Sequence, residues 1–448
     1  MNIWRYIIVI VIIMTFSIPA RLTALTIEEE KKYGTQIYYE IANSATINSD
    51  PYISMHMRFV KERIESVANV PFSVVLTVIE SPAMDAFATI GGFIYITTGL
   101  IAQCEKEEEL AGVVAHEFAH LARRHIAKRF EKEKYLNIGM LSSIALAMLA
   151  GDAKTQEAIL TTGAASAQSM ALKYSREDED EADRFGSKFA DMAGYGGLGI
   201  AEFLKKLRLA GGDKVLPQYL LTHPYHEERI IKLENLWSTN RVSVPNSPVF
   251  PYITIRGKVL SGIRGAQSDE IWLNRYNKDS EDPLNRYAAY LIYSRRGSLD
   301  DALEAVKGIK SPVRDLLLGE ALITARRYSD GVETLKTIQP GDSTYNIARI
   351  YIARAYEALG EWNKAIDTWT DLLRYGNSFP EIFYRFAMLS GRMGMEARGF
   401  EYLGRYYLAL GRIHLAQSNL EKAIAKYGIN SKEAKEIMTI VEGLKKPQ

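Results

Sequence analysis

Cysteine is almost absent from this chain of 448 residues, since Cys104 is the only one. A single thiol excludes a disulfide within the chain, and its distance from the amino terminus excludes a lipid-modified cysteine there. An excess of charge of one sign is also absent, because 55 Lys and Arg residues face 54 Asp and Glu residues. The sequence contains no phosphate-binding loop and no basic patch. We therefore expect no nucleic-acid partner and no nucleotide chemistry.

Hydrophobic runs long enough to span a bilayer are missing as well. The run Ile7–Ile18 is shorter than the roughly twenty apolar residues that such a helix needs. A basic Arg5 precedes this run and small residues follow it, which is the layout of a secretory signal. We predict a signal peptide at residues 1–24, cut after Ala20 or Ala24, and a periplasmic location. An uncleaved membrane anchor is the alternative.

The rest of the chain has the composition of a globular protein, with 47% hydrophobic and 24% charged residues. Helical periodicity predicts a mainly α domain over residues 25–240. Two segments rich in β-branched residues, 72–81 and 91–101, predict two strands of a small sheet within it. Residues 135–150 are the most apolar internal stretch and predict a core helix. A flap that touches the membrane is the alternative for this stretch.

Prolines interrupt residues 239–265 and predict a domain boundary, with a linker containing short strands at residues 241–280. Beyond the linker, residues 281–448 repeat. Gly319 and Gly331 align with further small residues at a step of about thirty-four residues, which is typical of tetratricopeptide helix pairs. A generic helical bundle is the alternative. Such solenoids present a concave surface, so we expect this domain to bind proteins rather than to catalyse a reaction.

Three of the seven histidines lie in the segment "VVAHEFAHLARRH" at residues 113–125. Helical residues four apart share a face, so His116 and His120 can bind one ion. Glu117 lies beside that face, where its carboxylate can act as general base on a water at the metal. The motif His-Glu-x-x-His therefore predicts a catalytic zinc site, and a helix with solvated or core histidines is the alternative. His125 has no role in this arrangement and is expected at the surface.

A third zinc ligand is expected from the segment "KYSREDEDEADRFGSKFADMAG", because catalytic zinc usually has three protein ligands. Ser175 predicts the cap of a helix there. Glu179 and Asp183 lie four residues apart, so Glu179 can bind the metal while Asp183 hydrogen-bonds a ligand histidine. Acidic first turns are common for structural reasons, and Glu177 and Glu181 are predicted to point elsewhere.

The segments "HEFAH" and "SREDEDEAD" together resemble the Glu-zincin metallopeptidases related to prenyl-protein (CAAX) endopeptidases and the membrane heat-shock protease. With a signal and a repeat domain, the chain is similar to the periplasmic β-barrel assembly-enhancing branch of these proteases. The resemblance implies a mainly α (α+β) fold, with a helical metallopeptidase domain and small β-sheet before a tetratricopeptide solenoid. It also implies one zinc ion held by His116, His120 and Glu179, with Glu117 as base and Asp183 in support.

Two further segments extend the resemblance. "THPYHEERI" is similar to a His-Pro segment of that family, which implies His223 as a regulatory fourth ligand and Arg229 as a site residue. A solvent-exposed loop histidine is the alternative for His223. "DAFATIGGFIYI" is similar to the strand that holds extended substrate, although Asp85 and Ile90 depart from the family's asparagine and proline. The substrate-edge residues that this implies are Ala86, Phe87 and Ala88.

These residues predict an exported zinc endopeptidase with chaperone activity that acts on unfolded or misassembled outer-membrane or periplasmic proteins. The expected partners are such substrates, outer-membrane assembly machinery bound through the repeats, and a membrane surface at the periphery. The alternative function is a latent or non-catalytic tetratricopeptide scaffold for envelope protein assembly. An intact Glu117 favours the peptidase, because a scaffold has no need of a general base.

Overall fold

The computed structural model describes residues 25–132, 174–210, 219–224, 227–238, 252–262, 266–309, 313–342, 344–377 and 379–445. These residues form a mainly α protein with one small sheet, as predicted. The predicted signal peptide and the apolar stretch at 135–150 lie outside the described residues. Within the described part, none of the helices combines the length and apolar character needed to cross a membrane.

Three strands form the sheet: β1 (Val75–Ile79), β2 (Ala86–Thr89) and β3 (Phe93–Thr97). Their order is β1-β3-β2, with β1 parallel and β2 antiparallel to β3. The two predicted strands are β1 and β3; the prediction missed β2, which it assigned to the connection between them. Gly91 and Gly92 both have positive φ, which reverses the chain and pairs β2 with β3. As a result, β2 lies at an edge of the sheet.

The helices around this sheet enclose the larger apolar core. The central one, α4 (Glu107–Ala122), is buried from Leu110 to Leu121. The strand predicted to reach residue 101 ends at Thr97, whose side chain accepts from the Leu100 amide and caps the helix α3 (Thr98–Gln103). The helices are α1 (Ile27–Ser44), α2 (Pro51–Ala68), α3 (Thr98–Gln103), α4 (Glu107–Ala122), α5 (His125–Lys132), α6 (Arg176–Met192), α7 (Gly199–Ala210), α8 (Tyr219–Thr222) and α9 (Glu227–Trp237).

The linker predicted to contain short strands is helical where the structure describes it. Residues Tyr252–Gly262 form α10 and residues Ala266–Lys278 form α11. Tyr252 donates its hydroxyl to the carbonyls of Ile101 and Cys104, at 3.0 Å each, and Ile255 is buried in the core. Packing against the first domain therefore outweighs the strand propensity of this segment.

The remaining helices follow one another in pairs and form a helical array. They are α12 (Pro283–Arg296), α13 (Leu299–Lys307), α14 (Val313–Thr324), α15 (Tyr328–Lys336), α16 (Tyr345–Leu359), α17 (Trp362–Leu372), α18 (Glu381–Arg392), α19 (Glu396–Ala409), α20 (Ile413–Tyr427) and α21 (Lys432–Lys445). Gly319 and Gly331, chosen as small positions from the sequence, lie where α14 and α15 cross, and a Cβ at Gly319 would come within 2.4 Å of Leu335. The tetratricopeptide assignment itself stays a prediction.

The helical array contacts the first domain at two places. Glu320 accepts hydrogen bonds from the hydroxyls of Tyr52 on α2 and Tyr351 on α16, both at 2.6 Å. At the other end, Tyr38 on α1 donates to the Ala409 carbonyl at 2.9 Å. The array therefore packs on the domain that carries the histidine motif.

Candidate active site

Two helices supply most of the site. His116, Glu117 and His120 lie on α4 and have no solvent exposure. Helix α6 crosses α4 at Gly186, where a Cβ would come within 2.8 Å of the His116 Cα. The close approach that glycine permits brings Glu179, about two turns upstream on α6, to the imidazoles. As predicted, Ser175 caps α6.

Four ligand atoms converge at one point between α4, α6 and α8. Nε2 of His116 lies 3.0 Å from Nε2 of His120 and 3.3 Å from Nδ1 of His223. Oε1 of Glu179 lies 2.9 Å from His223 Nδ1 and 3.5 Å from His120 Nε2. All four residues are buried, and their ligand atoms lie within 4.8 Å of one another.

This donor set fits a zinc ion. Ligand atoms 2.0–2.1 Å from zinc at tetrahedral angles would be about 3.3 Å apart, which the measured separations bracket. Three imidazole nitrogens and a carboxylate are also ligands that zinc prefers over the oxygen-rich sets of calcium or magnesium. His116, His120, Glu179 and His223 are thus the residues able to hold the ion.

Asp183 and Arg229 support the ligands from behind. Asp183 Oδ1 lies 3.1 Å from Nδ1 of His116, the nitrogen that faces away from the metal position. Arg229 donates to both oxygens of Asp183, at 2.6 and 2.7 Å, and its Nη1 lies 2.6 Å from Glu179 Oε2. Burial alone would raise the pKa of the Glu179 carboxyl, but the charge of Arg229 and hydrogen bonds with His116 and His120 hold it well below its usual range. Both carboxylates therefore stay ionised in a buried site.

His125 is not at the surface, and that prediction was wrong. It is 3% exposed, and its Nδ1 lies 2.9 Å from Nδ1 of His120. Its Nε2 lies 2.9 Å from Glu181 Oε2, so Glu181 also has a role at the site. Helix α4 ends after Ala122, and Arg124 with a φ of 55° turns the chain so that His125 faces back toward the motif.

Glu117 lies between the metal ligands and strand β2. Burial raises the pKa of its carboxyl, while the neighbouring imidazoles and the Ala88 amide oppose that rise. The predicted substrate-edge residues Ala86, Phe87 and Ala88 form most of β2, which packs beside α4. All three are buried, and the Tyr219 amide donates to the Met84 carbonyl just before β2 at 3.2 Å. The segment that carries His223 therefore covers the start of this edge.

His223 is held by aromatic rings as well as by polar groups. It has no solvent exposure, which contradicts the exposed-loop alternative. The Tyr219 ring stacks on it at 4.3 Å between centroids, and the Tyr174 ring, which stacks on His120 at 3.7 Å, lies 5.1 Å away. Its Nε2 lies 3.5 Å from Glu117 Oε1. Neither tyrosine carries a signal in the sequence, because Tyr174 precedes a helix cap and Tyr219 lies in a short apolar segment.

Comparison with known proteins shows what this part of the chain is similar to. Residues 55–237 match the profile of Peptidase family M48. A putative β-barrel assembly-enhancing protease of Vibrio cholerae is 28% identical over 294 residues, which is 62% of this chain and 60% of that protein. The β-barrel assembly-enhancing protease of Escherichia coli is 30% identical over 233 residues, 50% of this chain and 47% of that one. The mitochondrial metalloendopeptidase OMA1 of Schizosaccharomyces pombe is 26% identical over 220 residues, 48% of this chain and 63% of that one.

The chain thus spans between about half and two thirds of the length of these relatives. The matched residues 55–237 contain all four ligands, Glu117, Asp183 and Arg229. Residues 55–237 are therefore similar to Peptidase family M48, and this match contains the whole candidate zinc site.

Proposed function

We propose that this protein is an exported zinc endopeptidase that cleaves unfolded or misassembled outer-membrane or periplasmic proteins. The observation that carries the proposal is the placement of Glu117 beside a closed set of zinc ligands and next to an edge strand. The relatives named β-barrel assembly-enhancing protease support a protease with a part in β-barrel assembly.

Each group at the site has a separate role in peptide hydrolysis. Zinc in this ligand set would supply a Lewis acid that lowers the pKa of water and polarises the scissile carbonyl. Glu117 accepts the proton of the attacking water and later delivers it to the departing amine. Asp183 and His125 orient the imidazoles of His116 and His120 through their far nitrogens.

Substrate would bind as an added strand along β2. Backbone hydrogen bonds to an edge strand depend little on sequence, so they favour any extended, unfolded chain. The helical array would add selectivity by binding client proteins or the outer-membrane assembly machinery, and would give the protein chaperone activity. An exported protein would also meet a membrane surface, which is a further expected partner.

The ligand set also supports a latent resting state, which accommodates the scaffold alternative. Catalytic zinc keeps one position open for water, whereas His223 makes a fourth protein ligand here. Its segment also covers the start of β2. The enzyme would therefore turn over only when His223 moves away, and until then it would act as a binding protein.

The test compares the mature protein with Glu117→Gln and His223→Ala on an unfolded outer-membrane protein, with zinc content measured in each. We expect Glu117→Gln to bind zinc and to cleave at least a thousandfold more slowly. We expect His223→Ala to cleave faster than the parent, because it opens the fourth position. His414→Ala, an exposed histidine of the helical array, is the matched control. Unchanged cleavage by Glu117→Gln would refute the catalytic assignment.

A further inference from the structure

Leu25 is held by its backbone and its side chain. Its N–H donates to Glu131 Oε1 at 2.8 Å, and its C=O accepts from Arg124 Nη2 at 2.6 Å. Its side chain packs against the small apolar cluster that Ile126 and Phe130 also join. Glu131, Ile126 and Phe130 all belong to α5, the helix that follows the histidine motif. The structure thus contains a specific binding site for Leu25 next to the active-site helix.

The charged groups around this binding site are Glu30, Glu131 and Arg124, so negative charge exceeds positive charge by one. Arg124 donates from Nε to Glu30 at 2.6 Å and lies 3.7 Å from Glu131. Within the described residues it is the only cationic side chain paired with either carboxylate. Burial raises the pKa of the Glu30 carboxyl despite Arg124, and the charge of Glu131 raises it further. A second cation would complete this cluster.

We propose that processing between Ala24 and Leu25 supplies that cation, as an α-ammonium group on Leu25 that pairs with Glu131. An export peptidase would hydrolyse the Ala24–Leu25 bond with one water, so that Ala24 keeps the carboxylate and Leu25 the amine. The amine takes up a proton at neutral pH. A charge-assisted bond then replaces the neutral N–H···O bond to Glu131. This inference rests on the proposed export, but not on peptide hydrolysis by the protein itself.

The new ion pair acts on the metal site through Arg124. The same arginine binds the Leu25 carbonyl and forms the left-handed turn between α4 and α5. That turn places His125 against His120, a zinc ligand. Leu25, Arg124 and His125 thus connect the processed terminus to the metal. A chain without the α-ammonium group should hold the turn, and therefore zinc, less firmly.

Mass spectrometry of the exported protein gives the first test. We expect the mature chain to begin at Leu25 with a free amine. A chain that begins at Arg21, or that still carries residues 1–24, would overturn the proposal.

The rate of zinc release to a chelator gives the second test. The full mature chain is compared with the same chain carrying one extra alanine before Leu25, which moves the amine by about 3.5 Å. The third protein is Glu131→Gln, and the fourth combines both changes. We expect release to be about tenfold faster in each single variant, as for other groups that orient zinc ligands.

The zinc release rate of the combined variant, compared with those of the two single variants, decides the second test. Both changes remove the same pair, so the combination should release zinc no faster than either alone. Equal release from the parent and the extended chain, or multiplying effects, would contradict the proposal. Glu333→Gln, which removes an exposed ion pair with Lys336 on the helical array, is the matched control. Neither test measures peptide cleavage, so an inactive peptidase would refute the proposed function and leave this inference unaffected.

Discussion

His125 Nδ1 lies 2.9 Å from His120 Nδ1, so a residue outside the His-Glu-x-x-His helix faces the far nitrogen of a metal ligand. If His120 carries its proton on Nδ1, its Nε2 is free for zinc, and His125 in turn donates from Nε2 to Glu181. Arg123 lies 2.8 Å from the other oxygen of Glu181. The line of contacts fixes the tautomer and the ring orientation of His120.

Replacing His125 should therefore weaken zinc binding. We expect His125→Ala to lower zinc affinity by about 10- to 100-fold, the range for residues that orient zinc ligands. Competition with a chromogenic chelator measures the affinity. His125→Asn, which can still accept from His120, should retain part of it. Parent-like affinity in the alanine variant would show that the contact has no effect on the metal.

Arg229 balances two buried carboxylates, Glu179 and Asp183. We expect Arg229→Ala to lower the free energy of unfolding by about 3–5 kcal/mol, because it leaves both carboxylates buried without their cation. Arg229→Lys should recover only part of this stability, since lysine lacks the planar fork. Urea unfolding at pH 7 measures the change. Arg208→Ala, which removes an exposed pair with Glu227, is the control and should change stability by less than about 1 kcal/mol.

Glu107 makes stability depend on pH. Burial raises the pKa of its carboxyl to about 7, and His56 Nε2 lies 3.8 Å from its Oε1. The folded protein therefore holds this proton more tightly than the unfolded chain. The stability that this provides is complete below pH 4.5 and is lost as the pH rises through about 7.

The variant Glu107→Gln should accordingly gain stability over the parent between pH 5.5 and 8, by about 1–3 kcal/mol at the upper end. Thermal unfolding across this range measures the difference. Glu62→Gln, an exposed position on α2, should show no such trend. A difference that shrinks with rising pH would contradict the assignment.

Glu320 joins the helical array to the first domain. It accepts from Tyr52 and Tyr351, and Lys258 lies 3.8 Å above the Tyr52 ring. We expect Glu320→Ala to cost about 2–3 kcal/mol, because it removes the carboxylate that accepts from two buried hydroxyls. Limited proteolysis should then cut between the array and the first domain sooner than in the parent. Glu304→Ala, an exposed position on α13, is the control.

Helical spacing predicts the part of the site that lies within single helices. His116 and His120 share one face of α4, and Glu179 and Asp183 share one face of α6; the structure brings these faces together. His125 lies five residues after His120, which is about 140° away on a continuous helix. Its role depends on the chain reversal at Arg124, and no periodicity in the sequence signals that reversal.

Tertiary contacts decide the elements that were predicted wrongly. Strand β2 has only four residues and gains its identity from pairing with β3. Helix α10 contains several β-branched residues, yet it is helical because Tyr252 and Ile255 pack on the first domain. The deciding partner of β2 lies just across the Gly91–Gly92 turn, whereas that of α10 is distant in the sequence. Local propensity within either segment therefore carries too little information.

Helices α4 and α6 come into close backbone contact at Gly186, which has no side chain. A Cβ there would lie only 2.8 Å from the backbone of His116. Glu179 and Asp183 lie on the same rigid rod as this glycine. A single methyl group added at Gly186 would push α6 outward and would move both Glu179, a metal ligand, and Asp183, the partner of His116, away from α4. The distance between the metal ligands of the two helices therefore depends on the missing side chain of Gly186, a residue that contacts neither the metal nor the substrate.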